Sequence, residues 1–162
     1  MIDVDIVAER VNSVYRLPLN LGKFAPSLKW DTGAKYTVIS ARALDKELSD
    51  DALKQMMVYC EKNHKRKEEF VSASGDPFYG YLTHAENVVI GNTVLRDFYY
   101  YLVFENKRDI ALLGFDFIEG CQGTFDAHSD IVVSGFDEGG YHISYEALES
   151  DELVSLIDSL SD

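Results

Sequence analysis

Tyr15, Leu17, Leu19 and Leu21 alternate with other side chains, which puts four apolar groups on one face of an extended segment. Asn20-Leu21-Gly22-Lys23 supplies a turn after it, and residues 28–30 read as a second extended run leading into Asp31-Thr32-Gly33-Ala34. Residues 36–39 are β-branched and apolar enough to continue as strand. The period then changes. Ser40 is placed to cap a helix over 41–48, and Ser49 a longer one with Asp50 and Asp51 in its first turn. Leu53, Met56, Met57 and Cys60 fall at helical spacing, and the mixed-sign run over 61–69 reads as the solvated end of that second helix.

From Phe70 onward the pattern predicts short strands. Residues 70–74 and 78–83 flank Gly75-Asp76-Pro77 as a hairpin, and residues 87–90 and 94–95 flank Gly91-Asn92 as a tighter one. An aromatic strand follows over 97–104, then a short apolar one over 110–113 running into Gly114. Further strands are expected near 123–125 and 131–136, then a turn at Gly139-Gly140 and a last strand over 141–145. Leu153, Leu156, Ile157 and Leu160 share one side of a C-terminal helix. Many short strands with regular turns predict a mainly β fold, a closed or strongly curved sheet with helices attached. With 162 residues and three prolines the chain reads as a single domain over 1–162.

Charge narrows the partners. A net charge of −13 repels phosphate backbones and anionic lipid heads, so neither nucleic acid nor a membrane surface is expected as a partner. The same charge opposes self-association at low ionic strength. Asp3, Asp5 and Glu9 stand where a secretory leader needs positive charge, and no apolar run approaches the roughly 20 residues that span a bilayer. Cys60 and Cys121 are too few and too far apart for a disulfide framework or a metal site, which makes a reducing cytoplasm the expected location. Both thiols are expected to be buried and inert. His64, His84, His128 and His142 show no metal-ligand spacing, and the run Phe98-Tyr99-Tyr100-Tyr101 reads as a core strand rather than a base-stacking platform.

The remaining chemical signal is Asp31-Thr32-Gly33-Ala34. Alone, it fits a turn in which Asp31 accepts from nearby backbone N–H groups. Its setting adds more: an apolar strand, Leu28-Lys29-Trp30, enters the motif, a hairpin follows over 71–81, and Leu112-Leu113-Gly114 comes before Phe115-Asp116-Phe117-Ile118. In this combination the chain resembles the retropepsin-like aspartic proteases, over about residues 15–118. The resemblance implies a closed β-barrel of the acid-protease kind, one lobe per chain, with inserted helices and the C-terminal hairpin and helix of 119–162 as an extension.

It implies further that two copies pair, that Asp31 of each is the catalytic carboxylate, and that the two share one proton while activating water against a peptide bond. Thr32 would bond across to the partner's loop and the N–H of Gly33 would support the carboxylate. Ala34, Leu113 and Gly114 would line the substrate cleft, with Ser72, Ala73, Ser74 and Gly75 at the tip of a flap closing over an extended polypeptide. A side chain at Gly114 would collide with the loop behind Asp31. No metal or cofactor is implied. In the viral members an acidic residue after the motif pairs with an Arg after the later glycine; Lys35 and Phe115 stand there instead, leaving Lys35 to reach Asp116 on charge alone. The C-terminal extension would either replace or block the dimer contacts that chain termini make in those enzymes. The expected function is a homodimeric aspartic endopeptidase, with a non-catalytic peptide-binding module on the same fold as the alternative.

Overall fold

The first strand, β1 (Ile2–Val11), is one that the sequence reading passes over. Val4, Ile6 and Ala8 point inward and Asp3, Asp5 and Glu9 outward, so these acidic residues are the wet face of a strand. The computed structural model describes residues 1–72, 74–104, 109–125, 129–137 and 146–160. They divide into two compact units, one built from 1–37, 86–98 and 111–143, the other from 38–85, 99–110 and 144–162. Gly139, Gly140, His128, His142 and the strand expected over 141–145 lie outside the described residues.

In the first unit, a turn with positive φ at Asn12 and Ser13 returns β1 antiparallel to β2 (Val14–Asn20), with Glu9 opposite Arg16. Along its other edge β1 pairs with β10 (Ile131–Phe136), which pairs in turn with β9 (Cys121–Phe125). Beyond β2 lies β3 (Ser27–Trp30), antiparallel, and then β8 (Ala111–Leu113), parallel to β3. Leu17 and Leu19 of β2 are buried, as their alternation predicts, whereas Leu21 falls past the strand end and is half-buried. The core gathers Ile6, Leu28, Leu95, Phe98, Phe117 and Phe136, with Phe117 stacked on Phe136 at 4.6 Å between ring centres. Each such side chain contributes about 1.5–3 kcal/mol by leaving water. Phe117 belongs to a single-turn helix, α3 (Phe115–Ile118).

The second unit holds the other helices. Strand β4 (Val38–Ser40) starts two residues later than the sequence suggests and pairs in parallel with β7 (Thr93–Val103). Ser40 caps α1 (Ala41–Leu44) through Ala43 N–H, as expected, but α1 stops there because Asp45 turns extended at φ −141°. Ser49 caps α2 (Asp50–Asn63) through Ala52 N–H. Leu53, Met56 and Cys60 are buried on its inner face; Met57, expected with them, is 43% exposed, and Ala52 takes the place instead. The charged stretch after Asn63 is not helical. Lys67 opens β5 (Lys67–Val71), which pairs antiparallel with β6 (Pro77–Ile90), so cross-strand pairing overrides the helical preference of Lys and Glu. Phe98, Tyr99, Tyr100 and Tyr101 on β7 are all buried, the core strand that their pattern predicts.

The C-terminal segment packs on its own chain. β11 (Leu148–Glu149) lies parallel to β6, with Leu148 opposite Thr83. Behind it α4 (Ser150–Leu160) buries Leu153 and Ile157, and its Glu152 accepts a 3.1 Å hydrogen bond from the Tyr59 hydroxyl of α2. His84, 4% exposed, meets Glu149 through Nδ1 at 3.0 Å. Strand makes up 48% of the described residues and helix 23%, and six strands close a β-barrel, the predicted fold class. Among the described residues no helix is long and apolar enough to cross a membrane.

Candidate active site

Parallel pairing of β3 with β8 places Trp30 opposite Leu113, and Asp31 and Gly114 leave the two strand ends together. The Asp31 N–H donates to the Leu113 carbonyl at 3.0 Å. Beyond Asp31 the chain turns sharply, with Ala34 N–H donating to the Asp31 carbonyl at 3.2 Å and Gly33 N–H to Asp31 Oδ1 at 3.0 Å. Two more backbone bonds join the loops, Phe115 N–H to Ala34 O at 2.8 Å and Asp116 N–H to Lys35 O at 3.2 Å. Asp31 is thus fixed mainly by main-chain atoms. Asp31 is half-buried, Thr32 and Gly33 are exposed, and the Thr32 hydroxyl makes no hydrogen bond among the described residues. Trp30, for all its bulk, is accommodated with 8% exposure.

Gly114 sits hard against the loop that follows the motif. A Cβ there would run into the Tyr36 carbonyl and stand 2.7 Å from Thr37 N. Its N–H donates to Thr37 Oγ1 at 3.1 Å, and Thr37 is fully buried. Thr37 in turn donates its N–H and its hydroxyl to Asp116 Oδ1, at 3.0 and 2.8 Å, while Phe117 N–H donates to the same oxygen at 2.8 Å. Burial raises the pKa of Asp116 above the ordinary carboxylate value; the Thr37 and Phe117 hydrogen bonds oppose the rise and the charge of Glu119 adds to it.

The Lys35–Asp116 contact expected on charge does not form, because Thr37 occupies the carboxylate and the Lys35 ammonium lies over the Tyr36 ring at 5.1 Å. Sequence reasoning missed Thr37 and gave Asp116 the wrong partner. The signal was an Asp two residues after the second glycine and a Thr six residues after Asp31.

The structure therefore brings Asp31, Thr32, Gly33, Ala34, Leu113 and Gly114 together in the first unit. Ser72, Ser74 and Gly75 belong to the second unit, on the hairpin joining β5 and β6; Ala73 lies outside the described residues. The hairpin tip is bonded to itself. Ser72 N–H donates to Asp76 O at 2.9 Å, Gly75 N–H to Ser72 O at 2.9 Å, and the Ser74 hydroxyl to Asp76 Oδ2 at 3.1 Å. Gly75 has φ +87°, which an L side chain rarely adopts, so glycine is needed at that corner.

Neither cysteine joins the site. Burial pushes both thiols up to about 12, Cys60 within α2 and Cys121 at the start of β9, so neither supplies a thiolate near neutral pH.

No family model and no curated protein sequence matches the chain. Among solved structures it is similar to a retropepsin-like aspartic protease from Rickettsia conorii, with a TM-score of 0.52 over 82% of this chain and 91% of that one, at 14% sequence identity. The fold of this chain is the retropepsin-like one.

Proposed function

We propose that the chain is half of an aspartic endopeptidase, completed when two copies each contribute one Asp31. The observation that carries this reading is the Asp31 loop itself: a carboxylate braced by Gly33 N–H on one oxygen, beside an exposed Thr32 whose hydroxyl has no hydrogen bond among the described residues. That is half of a symmetric site. Two such carboxylates about 3 Å apart cannot both ionise cheaply, so they hold one proton between them. The ionised member takes a proton from a bound water that attacks the peptide carbonyl, and the protonated member donates to the carbonyl oxygen. Thr32 reaches across to the partner's loop and keeps the carboxylates in one plane. The hairpin of Ser72, Ser74 and Gly75 serves as the flap, meeting an extended polypeptide through backbone hydrogen bonds. Fold likeness to a protease supports the reading.

Two measurements test it together. Sedimentation should show a dimer, and a mixed-peptide digest at mildly acid pH should show cleavage that disappears in Asp31→Asn. Equal cleavage by the two proteins removes Asp31 from the mechanism. A dimer without cleavage leaves the peptide-binding module.

A further inference from the structure

Asp116 is a half-buried carboxylate that the proposed reaction does not use. Among the described residues no cation pairs with it: Lys35 presents its backbone carbonyl to Asp116 N–H and its ammonium to Tyr36, and the other charge bearing on the carboxylate is that of Glu119. What Asp116 does have is Thr37. The Thr37 hydroxyl has one proton, and giving it to Asp116 leaves the oxygen's lone pairs for the N–H of Gly114. That direction of donation needs an acceptor. A protonated carboxyl can donate to Oγ1 instead and turn the hydroxyl proton away, which changes the bond that holds Gly114.

We propose that Asp116 is the positioning residue of the Asp31 loop: as an ionised acceptor it orients the Thr37 hydroxyl and so holds Gly114, and with it the Leu113 carbonyl that receives the Asp31 N–H. Its consequence for catalysis rests on the protease reading above, but its geometry does not.

One measurement needs no activity. In an Asp31→Asn background, which removes the other carboxylate of the loop, the amide signals of Thr37 and Gly114 are followed by NMR from about pH 3 to about pH 8. They should shift together, with an inflection above the ordinary carboxylate value, and lose that inflection when Asp116→Asn is added. The second measurement compares kcat and KM against pH. Asp116→Ala should lower kcat by roughly tenfold with KM changed less than about twofold, while Asp116→Asn, which keeps the Oδ1 acceptor, should recover most of kcat and lose one ionisation from the profile. Amides that titrate alike with and without Asp116, or pH profiles that superimpose for wild type and Asp116→Asn, would overturn the proposal. If the wild type cleaves nothing, the protease reading fails on its own and the amide titration still decides the role of Asp116. If Asp116→Ala does not fold, the Asn comparison decides alone.

Discussion

Two residues carry the most informative local physics. Gly114 has an ordinary φ of −90°, so its requirement is room and not backbone freedom: a methyl group there overlaps the Tyr36 carbonyl. Gly114→Ala should cost about 1–3 kcal/mol or more through forced movement of that loop, read as a lower denaturant midpoint at unchanged slope. A variant as stable as wild type would mean that the loops separate easily. Asp116 makes a prediction of opposite character. Its pKa is raised from 3.8, so the folded chain holds this proton more tightly than the unfolded one. The stability that neutral Asp116 contributes is fully present below the ordinary value and is lost as pH rises through the raised one. Thermal unfolding across that window should therefore show a fall in wild type that Asp116→Asn lacks; parallel curves would contradict the assignment. A carboxylate that lowers stability when ionised is what a group kept for positioning, rather than for cohesion, should look like.

At the scale of elements, the C-terminal helix is the addition with a definite task. α4 covers its own unit through Leu153 and Ile157, 3% and 2% exposed, so Leu153→Ala should cost about 2–5 kcal/mol in chemical denaturation. A loss under about 0.5 kcal/mol would show that α4 contributes little there. Elements with a clean period were legible in advance. β2, β3, α2 and β10 stand close to where Leu17 and Leu19, the Leu28–Trp30 run, the Ser49 cap and the strand expected near 131–136 put them. The Asp31 turn, the Gly114 collision and the hairpin at Gly75 were legible too, since each follows from residue type and near neighbours. What escaped depends on distant partners. Lys67-Glu68-Glu69 form strand only because Tyr81, Gly80 and Tyr79 lie opposite. Thr37 and Asp116 stand 79 residues apart, so no local pattern joins them.

At the scale of the whole molecule, charge dominates. Two chains of net charge −13 repel, and pairing should tighten as salt screens them. Sedimentation equilibrium between about 50 mM and about 500 mM salt should give a falling dissociation constant; a rising one would mean that the contact is made by opposite charges and is not merely hindered by like ones. The helix α4 sits against α2 of its own chain, so the proposed pairing of copies must use a surface that exists with that segment already in place. One last consequence comes from the main-chain bracing of Asp31. Its amide and carbonyl are held by Leu113 and Ala34, and Gly33 reaches an oxygen that asparagine also possesses. Exchanging that single side chain silences the proposed chemistry and leaves the scaffold intact, so an Asp31→Asn protein should serve as bait, retaining uncut whatever polypeptide the native protein would release in pieces.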